Sequence, residues 1–206
     1  MLTIYGVYRS RASRNFWLAH ELGIPFKQVP IVQRYRLKEP IAADVVHTKS
    51  PAFLKVNPNG HVPTIDDDGV VLHESLAINL HLAKKHGGPL APANVAEDGE
   101  MAMWALWAVT EVEPHSLSIA QNGPSEAAIE ALRAPFAVLD GALAKTGWLV
   151  GGRFTVADIN VAEIVRYAQA ATTLFDSAPN VKRWFSTCQS RPAYRKMWEL
   201  REKEPA

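Results

Sequence analysis

The pattern of hydrophobic and polar residues changes character near residue 87. Before that point, short apolar runs typical of strands alternate with segments in which apolar residues recur every three or four positions, as on a helix. After residue 96 the spacing is helical, and the part between begins with Gly-Gly-Pro, which breaks helices and is typical of a linker. The pattern therefore predicts one domain at residues 1–86, a linker at 87–96 and an all-helical domain at 97–206.

The first domain is predicted to open with a strand, a helix and a second strand. Leu2 to Tyr5 form a short apolar run, helical spacing begins at Arg14, and residues 26–32 alternate like a strand. Gly23 is the predicted C-cap of the helix, because glycine adopts left-handed backbone angles without steric cost. Two strands joined through a helix favour parallel pairing with a right-handed crossover.

The stretch from residue 57 to residue 75, which reads NPNGHVPTIDDDGVVLHES, predicts a β-hairpin that leads into a helix. Turn-forming residues at 57–60 and 66–69 enclose one strand, and a second apolar run returns alongside it. Glu74 and Ser75 open the helix. The order strand–helix–strand, hairpin and helix is that of a thioredoxin-like α/β domain, so the predicted fold class is α/β followed by all-α.

The hairpin contains the features of a binding edge. Pro63 has no backbone N–H, so it belongs at the start of a strand or at a sheet edge, and an X-Pro bond in a tight turn is a suitable place for a cis peptide. Either arrangement leaves the N–H and C=O of Val62 available to an extended peptide. The helix that opens at Ser75 presents its first N–H groups, and the positive end of its dipole, to a carboxylate. A short peptide with a terminal carboxylate suits both features.

The N-P-x-G-x-V-P run at residues 57–63, followed by a hairpin and a Glu-Ser pair, resembles the glutathione-binding half of cytosolic glutathione S-transferases. The resemblance implies that Val62, before a cis Pro63, pairs with the cysteinyl backbone of glutathione, and that Glu74 and Ser75 hold the γ-glutamyl end. It further implies two histidines for the glycine carboxylate, namely His61 beside Val62, which is otherwise an exposed turn residue, and His47 in the preceding segment.

Two elements of the second half resemble the same family. Thr155 and Asp158, within the run FTVADI, have the spacing of a capping box, and the flanking Phe154 and Ile159 can form a hydrophobic staple. The element R-P-x-Y at residues 191–194 follows a helix that contains tryptophan. The likeness thus covers nearly the whole chain, and it implies a homodimer.

The reaction that the resemblance implies is attack of the glutathione sulfur on an electrophile. A thiol with a pKa of ~8.5 is mostly protonated at neutral pH, and lowering its pKa by about two units requires ~2.7 kcal/mol of differential stabilisation. A hydroxyl that donates a hydrogen bond to the thiolate in a partly dry site can supply energy of that order. We therefore look for a hydroxyl residue at the first strand–helix junction.

Three hydroxyl residues lie at this junction. Ser10 stands four residues before Arg14, which resembles the S-x-P-x-R pattern of serine-type (theta- and delta-like) transferases, although Ala12 replaces the proline. On that match Ser10 is the thiolate donor. Tyr5 is the alternative, because its distance from Arg9 is that of tyrosine-type members. Ser13 is the third candidate and is otherwise the N-cap of the helix that begins at Arg14.

The second substrate is expected to be a hydrophobic electrophile in a pocket against the first helix of the second half. The candidate contacts on that helix are Trp104, Trp107, Glu111 and His115. Two other functions remain open. One is glutathione-dependent isomerisation or reductive dehalogenation, although the isomerase relatives carry S-S-C where this chain has Ser10-Arg11-Ala12. The other is a non-catalytic, transferase-like binding protein.

Composition excludes several classes of function. The chain has 206 residues, of which 48% are hydrophobic and 21% charged, as in soluble globular proteins, and its net charge of +1 gives no reason to expect nucleic acid or an anionic membrane as partner. Cys188 is the only cysteine, so no intrachain disulfide forms, and its place in a late helix is that of a buried apolar residue. No metal-binding His pair, signal peptide or transmembrane run is found, so we expect a cytoplasmic protein.

Overall fold

The first half of the chain folds around a four-stranded mixed sheet. The computed structural model describes residues 1–204; the last two residues of the predicted second domain lie outside the described part. The strands are β1 (Leu2–Tyr5), β2 (Phe26–Val29), β3 (Thr64–Asp67) and β4 (Val70–His73), in the order β2-β1-β3-β4. β1 pairs parallel with β2 and antiparallel with β3, and β3 pairs antiparallel with β4. The thioredoxin-like order predicted from the sequence is confirmed.

Three α-helices and one 3₁₀ turn accompany this sheet within the first half. They are α1 (Ser13–Leu22), a 3₁₀ turn at Arg34–Arg36, α2 (Pro51–Val56) and α3 (Ser75–His86). Gly23 caps α1 in the left-handed conformation, as predicted, with φ +65°. The helix begins at Ser13 rather than Arg14, and Ala12 occupies the N-cap position without a side-chain hydrogen bond. The interpretation of Ser13 as the N-cap is therefore wrong.

The second half is helical. Its helices are α4 (Val95–Trp107), α5 (Glu113–Asn122), α6 (Glu126–Leu143), α7 (Val156–Val165), α8 (Thr172–Asp176), α9 (Pro179–Ser190) and α10 (Pro192–Lys203), with a 3₁₀ turn at Arg166–Ala168. A π-helical turn at Ala108–Val112 separates α4 from α5. Pro114 is the second residue of α5 and follows this turn closely. Because proline cannot donate to the carbonyl four residues earlier, the turn that precedes it widens.

The chain forms two compact units, and the last helix belongs to the first of them. One unit is Met1–Leu82 together with the chain from Pro192 onward, and the other is Ala83–Arg191. In the first unit α10 packs on α1, where the rings of Trp17 and Tyr194 meet edge to face with centroids 4.9 Å apart. The linker at 87–96 remains a prediction.

The second unit is built around α7, all ten residues of which are buried. Its N-terminus has the predicted capping box. Asp158 Oδ2 accepts a hydrogen bond from the Thr155 amide at 2.8 Å, and Oδ1 accepts from Trp184 Nε1 at 2.9 Å and from the Leu149 amide at 3.2 Å. One carboxylate thus joins the α7 N-terminus, α9 and the segment before α7. Burial raises the pKa of Asp158 to about 6, against the hydrogen bonds that favour its charged form.

We predict that Asp158→Ala lowers the free energy of unfolding by about 3–5 kcal/mol, because buried donors lose their acceptor. Chemical denaturation measures the loss. Asp176→Ala is the control, since Asp176 is exposed and pairs with the exposed Lys182, and it should cost less than about 1 kcal/mol. Equal loss in both alanine variants would contradict the structural role of the cap.

The pKa of Asp158 also predicts a pH dependence of the free energy of unfolding. The folded-state pKa of about 6 lies above the ordinary 3.8, so the folded state binds the proton more tightly and loses stability as pH rises from about 4 to about 6. Asp158→Asn should remove that dependence of stability on pH.

Candidate functional site

The loop between β1 and α1 holds Ser10 in a buried position. Ser10 is 6% exposed, and its hydroxyl donates to the Val7 carbonyl at 2.7 Å and accepts from the Ala12 amide at 3.1 Å. The Val7 carbonyl also accepts from the Ser10 amide at 3.0 Å. The loop is therefore a tight turn that fixes the hydroxyl through its own backbone, and Val7 has a second donor besides that hydroxyl.

Gly6 brings the Ser10 hydroxyl close to Val62. Gly6 has φ +150°, and a Cβ placed on it would lie 2.8 Å from Ala12 Cβ, 3.6 Å from Ser10 Oγ and 3.7 Å from Val62 Cβ. A side chain at residue 6 would thus collide with Ala12, the residue that stands where the serine-type pattern has proline. Ser10 Oγ and Val62 Cβ are therefore both neighbours of Gly6. That a thiol lies beside them remains a prediction.

Val62 presents an unpaired backbone edge. The Val62–Pro63 peptide is cis, and no other atom of residues 1–204 forms a hydrogen bond with the N–H or C=O of Val62. The neighbouring turn is held by Asn57, whose side-chain amide donates to the His61 carbonyl at 3.1 Å and to Thr64 Oγ1 at 2.9 Å. The free edge is therefore rigidly supported on both sides.

The N-terminus of α3 offers a second set of free donors. Ile78 N–H bonds to the Glu74 carbonyl at 2.9 Å, but the amides of Ser75 and Ala77 find no acceptor within residues 1–204. Glu74 is exposed and has φ +71°, a left-handed conformation that is costly for a residue with a Cβ. The free amides that follow Glu74 in the chain attract an anion.

A buried polar network orients Ser75. Its hydroxyl accepts from Arg14 Nη1 at 3.0 Å, and its carbonyl accepts from the Asn15 side-chain amide at 2.9 Å. The same Asn15 amide donates to Asn79 Oδ1 at 2.7 Å, and Asn79 donates to the Arg14 carbonyl at 3.2 Å. The starts of α1 and α3 are thus locked together. The sequence singled out Arg14 as the start of the helix and by its spacing from Ser10, and it did not predict the contact between Arg14 and Ser75.

The other two candidate hydroxyls lie in different surroundings. Tyr5 is the last residue of β1, and its half-buried ring packs against Phe53 of α2 with centroids 6.2 Å apart. Its hydroxyl has no hydrogen-bond partner among residues 1–204. Ser13 is fully buried in the first turn of α1. The contacts at Gly6 bring Ser10 close to Val62.

Three basic side chains are available near the hairpin for a carboxylate. His47 is half-buried, and its Nδ1 accepts from the Lys49 amide at 3.1 Å, which leaves Nε2 as its free ring nitrogen. His61 is exposed. Lys49 Nζ lies 3.7 Å from the position of a Cβ on Gly60, the residue before His61. The sequence reading missed Lys49, although the run H-T-K-S-P before α2 was the available signal.

The candidate electrophile contacts all lie in the second unit. Trp104 is buried and Trp107 half-buried, and their rings meet edge to face with centroids 5.0 Å apart. Glu111 lies in the π turn and His115 in α5, and both are exposed. The structure therefore brings the two tryptophans together but not the two polar residues with them.

No helix among residues 1–204 is long and apolar enough to cross a membrane. In the same residues, no group of three or more His, Cys, Asp or Glu side chains is placed to hold a metal ion.

Known families match both parts of the chain. The family model described as glutathione S-transferase, N-terminal domain, matches residues 9–85, and the one described as glutathione S-transferase, C-terminal domain, matches residues 113–192. Glutathione S-transferase GstB of Escherichia coli (strain K12) is 31% identical over 96% of this chain and 97% of its own length. Probable elongation factor 1-gamma 2 of Arabidopsis thaliana is 32% identical over 74% of this chain and 40% of its own length.

Solved structures share the fold over nearly the whole chain. Glutathione transferase F7 from Populus trichocarpa has a TM-score of 0.81 at 25% identity, covering 98% of this chain and 99% of that one. The theta class glutathione S-transferase from Xanthomonas axonopodis pv. citri, solved with glutathione bound, has a TM-score of 0.74 at 26% identity, covering 95% of each chain. With two family models in the expected order and full-length similarity to a transferase, the chain belongs to the glutathione S-transferase family.

Proposed function

We propose that this chain binds glutathione on its first unit and transfers the glutathionyl group, through its sulfur, to a hydrophobic electrophile. The observation that carries the proposal is that Ser10 Oγ and Val62 Cβ both lie within 4 Å of the Cβ position of Gly6. Val62 offers an unpaired N–H and C=O there, which suit the backbone of a short peptide. A hydroxyl donor beside a backbone edge is the arrangement that a peptide thiol requires.

The proposed chemistry begins with loss of the thiol proton to solvent. The Ser10 hydroxyl then turns its proton from the Val7 carbonyl to the thiolate, and the carbonyl keeps the Ser10 amide as a donor, so the rotation leaves no buried acceptor unpaired. This hydrogen bond favours the charged form and lowers the pKa of the thiol. The sulfur lone pair forms a bond to the electrophilic carbon, and the leaving group departs with the electrons of the bond that breaks.

The proposed binding mode uses the two ends of glutathione. The γ-glutamyl carboxylate lies against the free amides of Ser75 and Ala77, and the exposed Glu74 carboxylate accepts from the ammonium group. The cysteinyl backbone pairs with Val62. The glycine carboxylate meets the basic group of His47, His61 and Lys49. The electrophile contacts remain the proposed set Trp104, Trp107, Glu111 and His115.

A further function is supported by the similarity to elongation factor 1-gamma, a relative whose name describes no transferase. In that case the same domain would serve as a binding module that assembles with a protein partner. Retention on a glutathione resin distinguishes the two functions. A chain that ignores the resin yet binds a protein partner would support the module.

We predict that Ser10→Ala lowers kcat/KM for conjugation by about 10²-fold, because the thiolate loses a preorganised donor. The affinity for glutathione, measured by calorimetry, should change by less than about threefold, since the donor acts mainly on the charged sulfur. Tyr5→Phe is the matched control. It also removes one hydroxyl, in this case from the last residue of β1, and it should keep the wild-type rate. Full activity in Ser10→Ala, with loss in Tyr5→Phe, would make Tyr5 the donor.

We predict that Glu74→Gln weakens the binding of glutathione by about tenfold, since an amide cannot pair with the ammonium group as a carboxylate does. Glu74→Gly should lose the same affinity without loss of stability, because glycine adopts the left-handed conformation of residue 74 freely. Calorimetry and thermal unfolding measure the two effects. Glu100→Gln, on the exposed side of α4, is the control and should bind like wild type. Wild-type affinity in Glu74→Gln would remove Glu74 from the site.

We predict a homodimer that uses an exposed apolar stripe in the second unit. Met103, Leu106 and Val109 are 51%, 68% and 40% exposed and recur every three residues, which is unusual for a surface that faces only water. Leu106→Glu should convert the dimer to a monomer in size-exclusion chromatography with light scattering. Val138 on α6 is another exposed apolar residue, at 55%, and Val138→Glu should leave the dimer intact. A monomeric wild type would exclude this assembly.

A further inference from the structure

The loop that carries Ser10 is held by the end of the chain. Residues 6–10 form only one internal backbone hydrogen bond, from the Ser10 amide to the Val7 carbonyl at 3.0 Å. A loop of this kind needs outside partners for its other buried polar groups. Several of those partners come from residues 201–204, almost two hundred positions later in the sequence.

Glu204 reaches both sides of the loop with one carboxylate. Its Oε2 accepts a hydrogen bond from the Arg9 amide at 2.9 Å. Its Oε1 accepts from Gln28 Nε2 at 3.2 Å, and the same Gln28 nitrogen donates to the Gly6 carbonyl at 3.1 Å. Glu204 therefore contacts the residue before Ser10 directly and orients the side chain that holds the start of the loop.

Arg201 completes the attachment. Its Nη1 donates to the Tyr8 carbonyl at 2.5 Å, and its own carbonyl accepts from Arg9 Nε at 3.1 Å. Arg36 donates to the Arg9 carbonyl at 2.9 Å. The backbone on both sides of the Tyr8–Arg9 peptide is thus fixed by side chains from other elements.

The surroundings of Tyr8 agree with a carboxylate close to the loop. Its ring stacks on Phe16 of α1 with centroids 4.0 Å apart. Burial, and then the charge of Glu204, raise the pKa of Tyr8 to about 12. The Tyr8 ring therefore packs the loop against α1, and the Glu204 carboxylate lies close to the loop.

We propose that Glu204 is a positioning residue for Ser10, acting through the Arg9 amide and Gln28 to hold the hydroxyl where it meets the thiol. The proposal rests on the proposed function. Displacement of a catalytic group by about 1 Å can cost about 10²-fold in rate. The Ser10 hydroxyl is bonded within its own loop, to Val7 and Ala12, so its position relative to a thiol depends on how the whole loop is held. Glu204 does not touch the substrate.

Hydrogen exchange tests the attachment without reference to catalysis. In Glu204→Ala, the amides of residues 6–12 should exchange about tenfold faster than in wild type, because the Arg9 amide loses its acceptor. Glu202→Ala is the matched control: Glu202 is a nearby exposed carboxylate of α10 that accepts from Trp198 Nε1 at 3.0 Å, and its loss should leave residues 6–12 unchanged. Unchanged exchange in Glu204→Ala would overturn the proposal, whether or not the wild type proves to be a transferase.

The pH profile tests the effect on chemistry. In Glu204→Ala, we expect the apparent pKa of the enzyme-bound glutathione thiol, read from its thiolate absorbance, to rise by about one unit, and kcat to fall about tenfold with KM little changed. Glu204→Gln keeps one acceptor oxygen for the Arg9 amide and should recover most of kcat. Faster exchange with an unchanged thiol pKa and kcat would reduce Glu204 to a structural role and overturn the proposal. A wild type that neither binds nor conjugates glutathione would refute the proposed function instead, and the exchange result would still decide the attachment.

Discussion

The first unit depends on where the β1–β3 ladder stops. Tyr5 pairs with Thr64, and the next position toward the N-terminus of β3 is Pro63, which has no N–H to continue the ladder. The sheet therefore ends abruptly, and Val62 keeps its donor and acceptor. Gly6 follows Tyr5 directly at this end of the sheet. Its missing side chain leaves room for Ser10 beside Val62.

The buried network under Ser75 explains why this end of the sheet is rigid. Arg14 is 2% exposed, and burying its charge is costly unless several partners satisfy it. Its bond to Ser75, and the ring of amides formed by Asn15 and Asn79, join the first turn of α1 to the first turn of α3. The free amides of Ser75 and Ala77 are therefore joined to the first turn of α1, which follows the loop of Ser10, and this suits a site that must hold a flexible peptide in a single orientation.

Local signals were readable in the sequence, and long-range pairs were not. The hairpin, the Gly23 cap and the Thr155–Asp158 box depend on residues a few positions apart, and each was found where the pattern indicated. The start of α1 was misplaced by one residue because no capping side chain marks Ala12. Glu204 and the Arg14–Ser75 contact carry no local pattern. They act only once the fold has joined distant segments, and the polar face of α10 gave no sign that its end returns to the first unit.

The π turn at Ala108–Val112 changes the meaning of helical spacing beyond it. In an unbroken α-helix, residues 104, 107, 111 and 115 would form one stripe, which is how the sequence grouped Trp104, Trp107, Glu111 and His115. A π turn accommodates one additional residue, so every later side chain is rotated by about 100° around the axis. The tryptophan pair and the exposed pair of Glu111 and His115 therefore do not form the single stripe that unbroken spacing implies. A single proline has thus shifted the helical phase between α4 and α5, so spacing counted along α4 no longer identifies the same face on α5.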